Sequence, residues 1–288
     1  QPIVAAMLEA AAKAPARAVA FQGAPGANSH IAVLQDQPDA LPVPCYSFED
    51  AIDAVRDGQA DSALIPIENS LHGRVADIHF LLPESGLVIT GEFFLPIKYA
   101  LMGTGRLEDV RQAISHPQAL GQCRKWLRTH DIDPVPFPDT AGAAARAVEL
   151  NDPAIAAIAP PGAAEIYGLT TLAEALEDSD DNMTRFVRLA RSGAAAPNEG
   201  LVMTSFIFEV KNVPAALYKA MGGFATNGVN MTKLESYQRG ASFAATTFFA
   251  DIEGHPEDPA VARALEELSF YSRTVRLLGT YKQARKRG

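Results

Sequence analysis

The sequence predicts an α/β fold, a two-lobed region followed by a smaller βαββαβ unit. Three observations carry this. From residue 17, short apolar runs alternate with helical patterns of ~10–15 residues, as in a parallel or mixed sheet with helices on both faces. Residues 192–200 (SGAAAPNEG) are small and polar with Gly and Pro, which marks a boundary. Beyond it the order becomes strand, helix, strand, strand, helix, strand over ~80 residues, a split βαβ arrangement.

Taken in order, the strands fall at 18–21 (AVAF), 62–66, 87–99, 112–115, 134–137, 155–159 and 185–189. The helices between them fall at 29–35, 48–57, 75–82, 117–130, 141–150 and 161–167. Pro117 and the pair Asp139-Thr140 punctuate helix starts. The run at 88–101 carries Pro96 near its middle and so is not one central strand. It reads as a crossing between lobes, with a second crossing near 178–184, which places a cleft between two lobes. In the last unit, strands are expected at 203–210, 231–237, 242–252 and 275–281, and helices at 214–227 and 259–270. Pro214 near a helix start and Gly228 past its end fit that reading.

The division expected is therefore an N-terminal extension at 1–16 and a region at 17–192, with lobes 17–98 plus 184–192 and 99–183. A unit at 201–283 and a frayed basic tail at 284–288 follow. The extension lacks a basic leader, and Glu9 and Lys13 interrupt its apolar run, so it reads as a short amphipathic helix and not a secretion signal.

With 288 residues the chain is long enough for a real core without staples. Its net charge of −9 argues against nucleic acid and anionic membranes as partners, so any anionic ligand is held by local groups. No run of 18 apolar residues offers a membrane span. Cys45 and Cys123, 78 residues apart, make no disulfide framework or metal pair and fit a cytoplasmic protein. No His or Cys spacing suggests a metal site.

Several strand-to-helix junctions share a chemistry. They are the loop from Gly23 through Gly26 to Ser29, the segment from Glu68 through Asn69 and Ser70 to Gly73, Ser115-His116-Pro117, and Asp139-Thr140. Each leaves backbone N–H groups at a helix N-terminus, where an anion is stabilised without basic side chains. Each loop alone also reads as an ordinary cap. The glycine loop is neither a Walker A nor a GxGxxG sequence. Glu68, at a strand end, is the carboxylate suited to acid/base work if burial raises its pKa, or else a structural charge. His116 and His72 are candidate hydrogen-bonding groups or plain structural histidines. In Asp181-Asn182-Met183-Thr184-Arg185-Phe186, Thr184 offers a hydroxyl of restricted rotamer, while Thr and Phe also simply favour strands.

These segments together resemble the prephenate dehydratase family, over roughly 17–283. The matching segments are the opening glycine loop, Pro66-Ile-Glu-Asn-Ser-Leu-His-Gly-Arg-Val75, Ser115-His-Pro-Gln-Ala-Leu-Gly-Gln-Cys123 and Thr184-Arg-Phe186. The resemblance implies decarboxylating dehydration of prephenate to phenylpyruvate, without cofactor or metal, on a two-lobed fold like that of periplasmic binding proteins. It implies that Thr184 serves the departing hydroxyl, Arg185 binds a carboxylate and Phe186 walls the ring. Gly26, Ser29, Glu68, Asn69, Ser70, Gly73, Ser115, His116, Gln118, Thr140 and Asn182 are then candidate substrate contacts.

The last unit resembles an ACT domain through Asn227-Gly-Val-Asn-Met-Thr-Lys-Leu-Glu-Ser236. This implies phenylalanine as effector, with Ala216, Leu217, Asn227, Gly228, Val229, Asn230, Leu234, Glu235 and Ser236 as candidate contacts, and a homodimer or homotetramer. Two departures stand out: the family's E-S-R-P is Glu235-Ser-Tyr-Gln238 here, and its Gly-Ala-Leu is Ala215-Ala-Leu217. Arogenate dehydratase and a non-catalytic two-lobed amino-acid sensor remain as alternatives.

Overall fold

The computed structural model describes residues 17–211, 213–237 and 247–287. The helix expected within 1–16, the start of the strand at 242–252 and the last residue of the tail lie outside the described residues. The strands form three sheets, and by its contacts the chain divides into two compact units, Gln1–Leu64 with Pro96–Asn182 and Ile65–Leu95 with Met183–Gly288. The chain passes from one unit to the other after Leu64, Leu95 and Asn182.

The first unit opens with β1 (Ala18–Gln22), α1 (Asn28–Asp36), β2 (Leu41–Cys45) and α2 (Phe48–Arg56), then the start of β3 (Ser62–Asn69). β1 pairs in parallel with β2 and with Ser62 and Ala63 of β3. Its Val19, Ala20 and Phe21 are wholly buried, as a parallel strand covered on both faces requires. β2 reads Leu-Pro-Val-Pro-Cys, and the sequence pattern missed it because two prolines argue against a strand. It lies at a sheet edge, where a missing N–H is tolerated. α2 starts with a reciprocal Ser47–Asp50 capping box and buries Ala51, Ile52, Ala54 and Val55 on one face.

After Pro96 the same unit builds a five-stranded sheet of order β10-β6-β9-β7-β8. Its elements are β6 (Ala100–Gly103), β7 (Gln112–Ser115), α4 and α5, β8 (Asp133–Pro136), α6 (Thr140–Leu150), β9 (Ile155–Ala159), α7 (Ala163–Tyr167) and β10 (Thr170–Glu174). The helix expected at 117–130 is two helices, α4 (Pro117–Gln122) and α5 (Arg124–Thr129), broken at Cys123, whose φ of −107° and ψ of 15° leave the helical region. α6 packs Ala143, Ala144 and Ala147 against Met102, Ala157 and Ala159, small residues that permit close approach.

The second unit begins within β3 and continues with β4 (Gly73–Arg74), α3 (Ala76–Glu84) and β5 (Val88–Pro96), then resumes at β11 (Met183–Ala190). The order β3-β11-β5 sets β11 between two neighbours, with β4 antiparallel to β3. The expected strand at 87–99 thus ends at Pro96.

After residues 191–201, which hold no helix or strand, come β12 (Val202–Val210), α8 (Ala216–Thr226), β13 (Met231–Tyr237), β14 (Thr247–Glu253), α9 (Pro259–Tyr271) and β15 (Ser272–Lys282). Their sheet is antiparallel, in the order β13-β14-β12-β15. Phe206, Phe208, Phe224, Phe248 and Leu268 form its core beneath α8 and α9. The basic tail is not frayed: the Ala284 N–H donates to Glu92 Oε1 at 3.0 Å, Arg287 pairs with Glu92, and Arg285 and Arg287 lie over the Phe94 ring. A buried carboxylate and an aromatic face supply the partners that composition alone did not reveal.

Candidate active site

The first unit holds a cavity of about 660 Å³. Its polar lining includes Gln22, Asn28, Ser29, His116, Gln118 and Thr140. Among the described residues that line it there is no Lys or Arg. Positive potential comes instead from helix starts. α1 has no side-chain cap, and its first residues, Asn28 and Ser29, face the cavity. α6 begins there too, at Thr140, but its start is capped by the Asp139 carboxylate. The leading N–H groups of a helix have no intrahelical partner and carry about half a positive charge, so the uncapped start of α1 suits a carboxylate. Tyr99, 5% exposed, also lines the cavity and hydrogen-bonds Asn28; burial pushes its hydroxyl up, so it stays protonated.

Several expected contacts are used elsewhere. Ser115 is wholly buried and donates to the Ile158 carbonyl at 2.5 Å, which joins β7 to β9. Asn182 is 2% exposed, and its Nδ2 donates to Gln122 Oε1 at 2.7 Å. Gly26 turns with φ +89°, and its N–H donates to His30 Nδ1, an acceptor kept neutral by burial. We assign all three to the fold. His116 does line the cavity, but its Nδ1 accepts from the Gln118 N–H as a helix cap. Cys45 also lines the cavity. Burial and Asp50 raise its thiol, which donates to the Val43 carbonyl at 3.6 Å and is no activated nucleophile.

The second unit places Thr184 beside Asn69. Asn69 Oδ1 accepts from the backbone N–H groups of Leu71 and His72, each at 3.0 Å. A backbone N–H can only donate, so this fixes the amide orientation. Asn69 Nδ2 must then donate to Thr184 Oγ1, at 3.0 Å. The Thr184 oxygen is the acceptor, and its own proton is left to be donated elsewhere. Ser70 holds the strands together: its Oγ accepts from the Met183 N–H and its N–H donates to the Met183 carbonyl. Gly73, at φ +75°, makes the turn into β4.

Arg185 corrects the expectation of a substrate clamp. Successive strand residues point to opposite faces, so Arg185 leaves β11 on the side away from Thr184. It is 2% exposed. Its Nε binds Glu92, its NH1 binds Glu68 at 2.9 Å and Asp251 at 2.5 Å, and its NH2 binds Tyr281 at 2.9 Å. Four of the five N–H donors of that fork are thus taken by this chain's own groups. Phe186 is 1% exposed and belongs to the core, with no face left for a substrate ring.

Glu68 is likewise corrected. Burial alone would raise its carboxyl, but the Lys233 ammonium at 2.7 Å and the Arg185 guanidinium overcome that and hold it below its ordinary value of 4.5. It is an ionised anchor and not a proton donor. A depressed folded-state pKa gives stability that is fully present above 4.5 and lost as pH falls through the lower folded value. Melting temperatures of wild type and Glu68→Gln are therefore expected to converge between pH 6 and pH 3, at about those values. A gap that stays constant contradicts the ionised role.

Among the described residues, the cluster around Arg185 comprises four carboxylates (Glu68, Glu92, Glu235, Asp251) and four cations (Arg74, Arg185, Lys233, Arg287). Sequence reasoning missed Glu92, Asp251 and Lys233, although a charge inside the apolar runs LVITGEFFL and TTFFADI was a readable signal. It also missed Gln22, Asn28 and Tyr99.

In the last unit, Ala216 and Leu217 open α8, Asn227 ends it, Gly228 turns at φ +67° with Val229 and Asn230 beyond, and Leu234, Glu235 and Ser236 lie on β13. Asn227 accepts from Arg263 Nε and donates to Glu267; Asn230 donates to Glu253; Arg74 reaches the Ser236 carbonyl.

An α/β chain with an uncapped helix start on a cavity that no Lys or Arg among the described residues lines, and with a strand-borne hydroxyl whose proton is left to donate, has the parts of a lyase that acts on a carboxylated substrate. The chain belongs to the prephenate dehydratase family: residues 19–194 match it. A relative from Komagataeibacter europaeus, named a bifunctional N-acyl-homoserine lactone acylase/prephenate dehydratase, is 48% identical over 92% of this chain and 95% of its own. Arogenate dehydratase/prephenate dehydratase 2 of Arabidopsis thaliana is 36% identical over 91% of this chain and 72% of its own. Among solved structures, the prephenate dehydratase of Arthrobacter aurescens in complex with L-Phe is 35% identical, covers 94% of this chain and 91% of its own, and has a TM-score of 0.85.

Proposed function

We propose that the chain converts prephenate to phenylpyruvate, CO2 and water in L-phenylalanine biosynthesis, as a carbon–oxygen lyase. The bond from the ring to its carboxylate breaks, and the electron pair enters the ring. The C4–O bond breaks in turn, and the oxygen leaves as water after taking up one proton. The observation that carries this reading is the direction of the Asn69–Thr184 hydrogen bond, which leaves the Thr184 proton available to a leaving hydroxyl. A threonine hydroxyl is a weak acid, so it polarises the leaving oxygen and passes on a proton drawn from water. Within the first unit, the uncapped helix start at Asn28, with Ser29 and Gln118, offers N–H and polar side-chain donors suited to carboxylate oxygens. Neutral donors, with no Lys or Arg among the described residues of that lining, hold a carboxylate less tightly than a cation would, which favours its loss as CO2.

The unit after residue 201 is an ACT module in this reading, supported by its βαββαβ order and antiparallel sheet. Its effector is phenylalanine, taken at the Ala216–Leu217 and Asn227–Ser236 segments, in line with the L-Phe complex of the Arthrobacter relative. Exposed Tyr218 (82%) and Phe270 (72%) on this unit support pairing of chains as a homodimer or homotetramer. The catalytic region at 17–192, the module at 201–283 and a cytoplasmic location complete the proposal. No helix among the described residues is long and apolar enough to cross a membrane. Incubation with prephenate, with and without phenylalanine, tests the reading through phenylpyruvate and CO2 in equal amounts. No phenylpyruvate overturns it.

A further inference from the structure

The cavity holds one charge that a site built for a dianion does not need. Asp139 lines it, exposed, and is the one carboxylate among the described residues of the lining. Its Oδ1 accepts from the Gly142 N–H at 2.6 Å as the N-cap of α6. That bond uses one of about four lone-pair sites on the carboxylate. The α6 dipole offsets about half the charge and leaves the remainder facing the cavity. For a substrate carrying only carboxylates, a keto group and a hydroxyl, this charge is repulsive. A neutral cap such as Asn or Ser would serve the helix equally well. For the aminated counterpart, which bears an ammonium in place of the keto oxygen, the same carboxylate is a partner. No cation among the described residues lines the cavity to neutralise it.

We propose that Asp139 is a specificity-determining residue, which meets the ammonium of the aminated substrate, arogenate, and sets its turnover relative to that of prephenate. This rests on the dehydratase reading above. It concerns substrate choice only, since Asp139 touches neither Thr184 nor Asn69 in any hydrogen bond described.

The test is kcat/KM for both substrates in wild type and Asp139→Asn. The asparagine keeps an acceptor for the Gly142 N–H and hence the helix cap, and Asp139→Ser provides a second capped, uncharged variant. Both variants are expected to lower the arogenate-to-prephenate ratio about tenfold or more, as loss of a charge-assisted hydrogen bond to an ammonium does, while prephenate turnover holds or rises. A ratio within twofold of wild type, or an equal fall for both substrates, overturns the proposal and leaves the dehydratase reading intact. So does a wild-type protein that acts on prephenate alone and is not inhibited by arogenate. Turnover of neither substrate by wild type overturns both.

Discussion

Replacing Thr184 with alanine is expected to lower kcat for prephenate by about 10²- to 10⁴-fold, the range that a positioned proton donor contributes. The side chain is half-buried at the start of β11, so its loss leaves the strand and the ion cluster in place. Melting temperature should stay near wild type, and KM should change little, because the group acts on the leaving oxygen in the transition state. Thr184→Ser keeps the hydroxyl but loses the β-branch that restricts its rotamer. It should therefore recover most of the rate. Near-normal turnover by a folded Thr184→Ala protein removes the mechanism proposed for the site.

Arg185→Met is expected to act on stability. It removes the cation shared by Glu68, Glu92 and Asp251, of which the last two are fully buried. Taking one partner from a buried ion pair costs about 3–5 kcal/mol, because the remaining charge is left uncompensated. Arg185→Lys should not rescue it, since one ammonium cannot point at Glu92, Asp251 and Tyr281 from separate directions as the guanidinium fork does. Equilibrium denaturation reads the effect. A loss under ~1 kcal/mol would mean that the cluster is not the buried ionic centre described here.

Much of the fold was legible because strand and helix periods alternate cleanly along the chain. Two features that escaped have physical reasons. β2 is a strand despite Pro42 and Pro44, because an edge position forgives a missing donor. The helix at 117–130 broke at Cys123, and nothing in its apolar spacing signals that break.

The site was legible as a set of segments but not as a set of roles. In Thr-Arg-Phe, strand alternation alone forbids Thr184 and Arg185 from sharing a face, and that signal was available. Which face was buried depended on Glu92 and Asp251, far away in sequence. Ser115 and Asn182 have the right chemistry for substrate contacts, yet both are spent holding strands and turns together. Asp139 was readable as a helix cap, but its place in the cavity wall was not.

The central claim is the direction of one hydrogen bond, and Asn69→Asp tests it by exchanging a donor for an acceptor. The aspartate still accepts from the Leu71 and His72 N–H groups, so the turn persists. Its second oxygen then takes the Thr184 proton that the amide leaves available. In Asn69→Asp, kcat for prephenate is expected to fall about as far as in Thr184→Ala, ~10²-fold or more, with an unchanged melting temperature. An Asn69→Asp protein that turns over prephenate at the wild-type rate would contradict it.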